Sequence, residues 1–271
     1  MTKNMLERLK DLRARTGCGV ADCKTALEES KDDLELAVDI LRKKGIAKAA
    51  KRQDRATAHG LVKVAVNQTQ TTGWMLSVCA ETDFVVRNNG FQELAEKILE
   101  TFKQSQATDL VGLLATVMPD GQTVQANLDN LSGVLGEKLA LPDCAVLKSS
   151  GTVAAYLHGI GRIGVLVAVS QPEQTNLAKT VAMQIAAANP LYLKPEEIPV
   201  AELAKEKAVY HEQLLAEGKP EAMLEKIMTG KLQKYYQEVC LLNQEYIKDD
   251  TKRMAEVLGN IQVEKFIRFA L

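Results

Sequence analysis

The sequence has few aromatic residues, little net charge and no long apolar run. Phe, Tyr and Trp make up 4% of the 271 residues, and none of them alternates with basic residues along a strand-like segment, so a base-stacking surface for nucleic acid is not indicated. The formal net charge of -1 creates no overall field that would attract nucleic acid. No apolar segment approaches the ~20 residues of a membrane-spanning helix. We therefore expect a protein that binds neither nucleic acid nor a membrane directly.

The chain also lacks a regular cysteine pattern. Its five cysteines are odd in number and scattered, and no secretory signal segment opens the sequence, which indicates the reducing cytoplasm. Cys18 and Cys23 are separated by four residues, a spacing typical of neither a redox pair nor a zinc site. Cys23 falls on an apolar helical stripe, so we interpret it as a small core residue. A thiol enzyme that uses this pair stays open as an alternative.

Motifs of enzymes and cofactor sites are missing as well. The sequence contains neither the phosphate-loop motif G-x-x-x-x-G-K-[ST] nor the nucleophile motif G-x-S-x-G. The Gly-rich segment 159–164 lies inside a hairpin pattern and not between a strand and a helix, which argues against a dinucleotide site. The three histidines lie far apart in the sequence, so no metal site is indicated. We expect a binding protein that is not an enzyme and uses no cofactor or metal.

The N-terminal part of the chain has the apolar spacing of three short helices. The three stripes consist of Met5, Leu9 and Leu12; Val20, Cys23 and Leu27; and Leu34, Val38 and Leu41. We expect Gly17 or Gly19 to end the first helix. A capping box of Asp32 and Glu35 should begin the third helix, and Gly45 should end it.

A basic segment follows the three helices and reaches to about residue 55. Its cations are Arg42, Lys43, Lys44, Lys48, Lys51, Arg52 and Arg55, against a single acid, Asp54. The segment is either a solvated connector or a local basic patch, and the sequence leaves both interpretations open.

The rest of the chain contains two copies of a hairpin followed by a helix. In the first copy, Val62, Val64 and Val66 form the core face of a strand, and a turn near residues 71–73 leads to the second strand. Asn89 is expected to cap the next helix together with Gln92. In the second copy, residues 151–170 form the hairpin and a helical stripe ends at Pro190.

The segments around these copies complete the predicted fold. Helices that pack on the first sheet are expected between the copies, and a helical hairpin over about residues 200–236 turns at Gly218 and Pro220. The last residues, KFIRFAL, are expected to form a strand that leaves no room for an extra domain. The sequence predicts an α+β fold with domain limits at 1–55, 56–143 and 144–271.

One short segment raises a question about function. Residues 81–89, ETDFVVRNN, place an aspartate and a phenylalanine side by side at the end of a strand-like run. Phe84 is either a core residue beside a turn or a side chain shaped to enter another molecule.

Three motifs, in order along the chain, resemble those of the elongation factor Ts family. They are LRARTGCGVADCKTALEES at 12–30, CAETDFVVRNNGF at 79–91 and YLHGIGRIGVLV at 156–167. Weaker likeness extends as far as KFIRF near the C-terminus. The resemblance implies a three-helix N-terminal domain similar to ubiquitin-associated domains. It also implies two related α+β subdomains with antiparallel sheets, the second of which carries an inserted helical hairpin.

The same resemblance implies a function. Members of the family are non-enzymatic guanine-nucleotide exchange factors that bind elongation factor Tu in its GDP-bound and nucleotide-free forms. By resemblance, Asp83 and Phe84 form a tip, and Phe84 enters the GTPase and displaces its magnesium and phosphate-binding elements. Thr82 shapes the tip, and Val85 is counted with these partner-binding residues. GTP then displaces the factor.

Further contacts with elongation factor Tu are implied by family likeness. The residues are Arg13, Val20, Ala21 and Lys24 in the N-terminal domain, and Leu135, Gly136 and His158 in the core. Relatives often have two methionines at the positions of Val20 and Ala21, so we expect a weaker N-terminal contact here. Helix packing for Val20 and Ala21, and a simple turn role for His158, stay open.

Two statements about assembly and function also stay open. The resemblance allows a homodimer through the second core subdomain, but no surface stripe decides it. A protein-interaction scaffold that uses the N-terminal helices is an alternative to nucleotide exchange. The given sequence stops just after KFIRFAL, where longer relatives continue into a helical module, so the role of such a module stays open as well.

Overall fold

The computed structural model describes residues 3–217 and 220–271, except Lys51 and Gln53. It combines helices with small antiparallel sheets, which confirms the predicted α+β class. Gly218, expected in the turn of the helical hairpin, and Lys51 of the basic segment lie outside the described residues, as does the side chain of Lys48.

The predicted helices and strands follow one another in the predicted order, together with several short elements that the sequence analysis did not predict. The helices are α1 Lys3–Thr16, α2 Val20–Glu29, α3 Leu34–Ala50, α4 Asp83–Val86, α5 Asn89–Gln104, α6 Leu110–Ala115, α7 Val124–Leu135, α8 Thr175–Ala188, α9 Val200–Ala216, α10 Glu221–Val239 and α11 Met254–Leu258. The strands are β1 His59–Val66, β2 Thr72–Ala80, β3 Leu139–Ala140, β4 Cys144–Lys148, β5 Thr152–His158, β6 Ile163–Val169, β7 Glu245–Tyr246, β8 Asp249–Arg253 and β9 Val263–Ala270. Short 3-10 turns occupy Pro195–Glu197 and Leu241–Asn243.

The three N-terminal helices enclose a small core of their own. Leu12, Cys23 and Leu27 are fully buried there, which confirms Cys23 as a core residue. Gly17 takes a left-handed conformation (φ 67°), and its N–H donates to Arg13 O (2.8 Å), so Gly17 and not Gly19 ends α1.

The predicted start of α3 is wrong by one residue. Asp33, and not Asp32, caps the helix, because its Oδ1 accepts from the Leu36 N–H (3.1 Å). Asp32 itself has a left-handed backbone (φ 66°). Glu35 does not close a capping box with Asp32; its carboxylate binds the Arg15 guanidinium (2.6 Å).

The predicted end of α3 is also wrong. The helix runs past Gly45 to Ala50, so the segment read as a basic connector is largely the second half of a helix. Gly45 serves a packing purpose, because α3 crosses α7 there. A Cβ atom on Gly133 of α7 would lie 2.5 Å from the Gly45 Cα atom, so the two backbones approach as closely as only glycine permits.

The first sheet is covered on both faces. It contains β1, β2 and β3 in that order, and β4 pairs with β2. On one face, Leu61, Leu76 and Val78 pack with α5 and α7. On the other face, Val62 and Met75 pack against the second sheet, which confirms that the valine face of β1 is directed at a core.

The turn between β1 and β2 comes earlier than predicted. It spans residues 67–71, while Thr72 and Gly73 already belong to β2. The Asn67 side chain determines this position, because its Oδ1 accepts from the N–H groups of Thr71 (2.9 Å) and Thr72 (3.0 Å).

The second sheet has the order β5, β6, β9 and carries α8 on its outer face. The molecule is therefore layered as helices, sheet, sheet and helix. The α9–α10 hairpin is inserted between α8 and β9, as predicted. At its base, the Glu202 carboxylate accepts from the hydroxyls of Tyr192 (2.6 Å) and Tyr235 (2.8 Å).

The structure also bears on the boundary expected between residues 143 and 144. That boundary would cut β4 away from β2, with which β4 pairs from Cys144 to Lys148. The sequence analysis missed β4 because it is short and only half-buried, so it lacks a clear apolar alternation.

Candidate partner-binding surface

The candidate site is built around a one-turn helix that follows β2. Thr82 is extended (φ −128°, ψ 159°) and precedes α4, which contains Asp83, Phe84, Val85 and Val86. Successive helical side chains point about 100° apart. Val85 is therefore buried (8% exposed) among the core residues, while Phe84 points outward and is 80% exposed. The interpretation of Phe84 as a core residue is wrong.

Two carboxylates hold this tip against the end of α7. Glu137 accepts from the Thr82 N–H (3.0 Å) and from the Thr82 hydroxyl (2.7 Å). In the opposite direction, Glu81 accepts from the Lys138 N–H (2.7 Å) and forms an ion pair with Arg55 (3.2 Å). These reciprocal hydrogen bonds, the Glu81–Glu137 latch, fix the segment that presents Phe84.

The hydrogen bond from the Lys138 N–H, supported by Arg55, lowers the pKa of Glu81 below its ordinary value of 4.5. Glu81 is therefore ionised at neutral pH and acts as a hydrogen-bond acceptor. The sequence analysis did not identify Glu81 or Glu137 as site residues. They are more than 50 residues apart in the chain, and no local pattern joins them.

Asp83 and the next helix complete the tip. The Asp83 carboxylate forms an ion pair with Arg87 one turn later (2.8 Å). The predicted cap of α5 is wrong by one residue: Asn88, and not Asn89, accepts from the Gly90 N–H (2.8 Å). Gln92 does not join a capping box, because its Nε2 donates to Val86 O (2.7 Å) and so ties α5 back to α4.

Leu135 and Gly136 lie next to this tip. Gly136 is exposed and left-handed (φ 80°), which ends α7, and Ser132 Oγ donates to Glu137 O (2.6 Å). Because Glu137 follows directly and binds Thr82, the structure brings the predicted residues 135–136 and 82–85 to one place. Leu135 is half-buried against the core of the first sheet.

His158 lies at the same end of the molecule, on the β5–β6 hairpin. The Val62 N–H donates to Gly161 O (2.7 Å), which docks the hairpin turn on β1. That end of β1 pairs with β2 at Ala80, directly before the tip. The exposed His158 ring is stacked on Tyr156, whose hydroxyl lies 3.2 Å from His158 Nδ1.

The same turn contains a residue that the sequence analysis missed. Ile160 is fully exposed and has a left-handed backbone (φ 58°), a rare conformation for a β-branched residue. An apolar residue between two glycines in a hairpin turn was an available signal.

The N-terminal candidates lie on α1 and α2. Arg13, Ala21 and Lys24 are exposed, and Val20 is 50% exposed, so packing within the three-helix domain does not account for Val20 and Ala21. A Cβ atom on Gly17 would lie 3.3 Å from Val134 Cγ1. The loop between α1 and α2 therefore rests on α7 just before Leu135, with a cleft of about 180 Å³ between the two parts.

Several cations of the basic segment are engaged within the protein. Lys44 binds Glu29 (2.6 Å), Arg55 binds Glu81, and Arg52 donates to Ser132 O (3.2 Å). Lys44 thus joins α3 to α2, whereas Arg52 and Arg55 fasten the turn after α3 to the first α+β unit, which corrects the interpretation of the segment as a solvated connector.

None of the four cysteines whose pKa is shifted has an activated thiol. Burial raises the pKa of Cys23, and it raises the pKa values of Cys79, Cys144 and Cys240 to about 11. These thiols are protonated at neutral pH, so nothing in their surroundings favours a thiol enzyme.

The described part of the chain shows neither a metal-binding cluster nor a membrane-spanning helix. No group of three or more His, Cys, Asp or Glu residues there could hold a metal ion. No helix among residues 3–217 and 220–271 is long and apolar enough to cross a membrane.

Comparison with known proteins assigns these features to a family. A family profile described as "Elongation factor TS" matches residues 81–271. Elongation factor Ts of Clostridium botulinum (strain Eklund 17B / Type B) is 40% identical over 274 residues, covering 96% of this chain and 90% of that protein. Elongation factor Ts of Chlorobium phaeobacteroides (strain BS1) is 40% identical over 286 residues, covering 100% of this chain and 99% of that protein. Elongation factor Ts of Chloroherpeton thalassium (strain ATCC 35110 / GB-78) is 39% identical over 286 residues, covering 100% of this chain and 99% of that protein.

Proposed function

The chain belongs to the elongation factor Ts family, and from this premise we propose that it is a guanine-nucleotide exchange factor for elongation factor Tu. It acts in translation elongation, in the cytoplasm, on GDP-bound and nucleotide-free elongation factor Tu. It makes and breaks no covalent bond and needs no cofactor. Its effect is to speed the release of GDP, after which GTP displaces it.

The exposed Phe84 on a fixed tip is the observation that supports this mechanism best. A large apolar side chain that is 80% exposed gains free energy by entering a partner. The Glu81–Glu137 latch holds the tip in place, so little ordering is needed on binding. In the proposed complex, Asp83 and Phe84 enter the GTPase and shift the elements that hold Mg²⁺ and the GDP phosphates. Mg²⁺ coordination and the hydrogen bonds to the GDP phosphates both depend on close geometry, so a small displacement of these elements weakens both.

The magnitude of the effect requires more than this one ring. A 10³-fold faster release needs about 4 kcal/mol, and burial of one Phe supplies roughly 1.5–3 kcal/mol. We propose that the rest comes from the contacts of Leu135, Gly136 and His158, which lie at the same end of the molecule. The coupling is reciprocal, so bound nucleotide must weaken the binding of the factor by the same ratio.

The N-terminal helices extend the proposed interface. Arg13, Val20, Ala21 and Lys24 are assigned to a second contact with the GTPase. Their exposure supports the assignment, and so does the docking of the α1–α2 loop on α7 next to Leu135.

We propose that the chain consists of three structural units. The N-terminal unit spans residues 1–55, and its likeness to ubiquitin-associated domains is a proposal. The first α+β unit begins at residue 56 and is extended from residue 143 to about 148 so that it contains β4. The second unit continues to residue 271 and includes the α9–α10 hairpin.

A homodimer through the second unit is a further proposal. Val209, Leu215 and Met223 are 40%, 54% and 50% exposed on the hairpin, and a second chain would cover such apolar side chains. Light scattering of the protein alone, over a range of concentrations, tests it. A constant mass equal to that of one chain rejects the dimer.

The exchange function is tested by the release of fluorescent GDP from elongation factor Tu. Catalytic amounts of the protein should accelerate release, and Phe84→Ala should slow this acceleration by about tenfold or more, equivalent to ~1.4 kcal/mol of barrier. The matched control is Val200→Ala, which truncates an equally exposed apolar residue (86% exposed) at the start of α9. An unchanged rate for Phe84→Ala rejects the wedge, and no acceleration by the wild type rejects the exchange function.

A further inference from the structure

Arg268 lies half-buried on the outer face of the second sheet, near the end that carries the β5–β6 turn. The strand register places Tyr156 of β5, Val165 of β6 and Arg268 of β9 in one cross-strand row. Neighbouring side chains of such a row are about 5 Å apart. Val165 is small and fully buried. Tyr156 and Arg268 also line a pocket of about 400 Å³. The lining residues are Tyr156, His158, Ile163, Met183, Ile247 and Arg268, with Ala186 and Ala187 of α8.

The Arg268 guanidinium is not neutralised inside the protein. Its Nη2 donates to Ala186 O at 3.4 Å, while its buried Nε has no hydrogen-bond partner. Among the described residues, no Asp or Glu forms a salt bridge with Arg268. Burial alone lowers its pKa, without an opposing acidic neighbour. A guanidinium has five N–H donors, so one long bond to the end of α8 leaves most of them available.

Tyr156 and His158 add a second donor beside it. When the Tyr156 hydroxyl donates to His158 Nδ1 (3.2 Å), the ring proton of the neutral imidazole lies on Nε2 and is free to donate. The pocket thus combines a guanidinium and an imidazole N–H with the apolar walls of Ile163, Met183 and Ile247. This combination matches a carboxylate on a short aliphatic stem.

We propose that this Arg268 pocket binds the carboxylate of an Asp or Glu side chain of the GTPase, an inference that rests on the proposed exchange function. The guanidinium would bind the carboxylate in a bidentate manner, which Lys cannot reproduce. The charge is complementary, and the apolar walls would cover the methylene groups. The pocket shares His158 with the proposed interface, so one docking event can fill the pocket and insert Phe84.

The test measures the concentration of factor that gives half-maximal GDP release. Arg268→Met should raise this concentration by about tenfold, the effect of one lost charge-assisted pair, and Arg268→Lys should raise it by less. The maximal rate should stay unchanged in both variants, because Phe84 is intact. The matched control is Lys265→Met, which removes an exposed cation from the same strand outside the pocket and should have no effect.

A salt titration separates a carboxylate pair from a structural role of Arg268 at the end of α8. Loss of an ion pair should make the half-maximal concentration of Arg268→Met less sensitive to KCl than that of the wild type. A purely structural role would lower the melting temperature and leave the salt dependence unchanged, which overturns the proposal. If Arg268→Met does not fold, the neutral polar variant Arg268→Gln is titrated with KCl and decides by the same criterion. An active wild type with an unaffected Arg268→Met rejects only the pocket, whereas an inactive wild type rejects the exchange function and the pocket together.

Discussion

Gly133 of α7 lies so close to Gly45 of α3 that a Cβ atom on Gly133 would come within 2.5 Å of the Gly45 Cα atom. The relationship is asymmetric, because a Cβ atom on Gly45 would lie at an ordinary 3.6 Å from the Gly133 Cα atom. This crossing holds the N-terminal helices on the first α+β unit. It therefore sets the distance between the two groups of proposed partner contacts.

The asymmetry predicts opposite effects for two matched alanine substitutions. Both replace a helical glycine, so both gain about 1 kcal/mol of helix propensity. Gly133→Ala must push α3 and α7 apart, and we expect a net loss of about 1–2 kcal/mol in the free energy of unfolding. Gly45→Ala should be neutral or stabilising. Urea denaturation followed by circular dichroism measures both, and equal stabilities would contradict the close contact.

The Glu81–Glu137 latch should matter more for exchange than for folding. Glu137→Ala removes both hydrogen bonds to Thr82, at a cost of about 1–3 kcal/mol. We expect slower GDP release, because Phe84 is then presented by a looser tip. The control Thr82→Val removes only the hydroxyl hydrogen bond and should have a smaller effect. Exchange rates that do not change in Glu137→Ala would show that the tip is held by α4 alone.

Glu81 should make stability depend on pH in the acid range. Its pKa is lowered in the folded state, chiefly by the Lys138 N–H and also by Arg55. A carboxyl group with a lower pKa in the folded than in the unfolded state stabilises the fold at pH values above its unfolded pKa. This stabilisation is lost as the pH falls through the folded pKa. Wild type should therefore be more stable than Glu81→Gln at pH 7, and the difference should shrink below about pH 4.5. Urea denaturation at several pH values measures this, and a constant difference would contradict it.

The thiols should be slow to react in the folded protein. With pKa values of about 11 for Cys79, Cys144 and Cys240, only ~10⁻⁴ of each is thiolate at pH 7. We expect iodoacetamide to modify these three only after unfolding, as measured by mass spectrometry with and without urea. Rapid modification of the native protein would contradict this.

The related thiol hypothesis is checked by replacing Cys18 and Cys23 together with Ser. GDP release should be retained. Loss of exchange at unchanged stability would instead support a chemical role for the pair.

Much of the fold could be predicted because its signals are local. The valine alternation of β1 and the helical stripe of α8 each lie within one element, and both predictions are confirmed. The predictions were wrong where the role of a residue depends on a packing or pairing partner that is distant in the sequence. Gly45 resembles a helix stop, but Gly133, far away in sequence, gives it a place inside a helix. Cys144–Lys148 has no strong pattern, yet β2 recruits it as a strand.

The candidate site was only half predictable. Asp83 and Phe84 stand out by their side-chain types, and Gly136 by its backbone freedom. Glu137 does not, because its role depends on Thr82 being brought next to it by the pairing of β2 with β3. Arg268 likewise reads as one residue of a terminal strand until the register places it in one row with Val165 and Tyr156.

The sequence by itself determined the order of the main helices and strands, the family and the residue types at the tip, because periodicity, glycine position and motif identity are properties of neighbouring residues. Only the tertiary structure decided that Phe84 points away from the core while Val85 points into it, and that three separate segments meet at one end of the molecule. The reason is physical: exposure and charge pairing depend on which distant backbone segments the sheets and the α3–α7 crossing bring together.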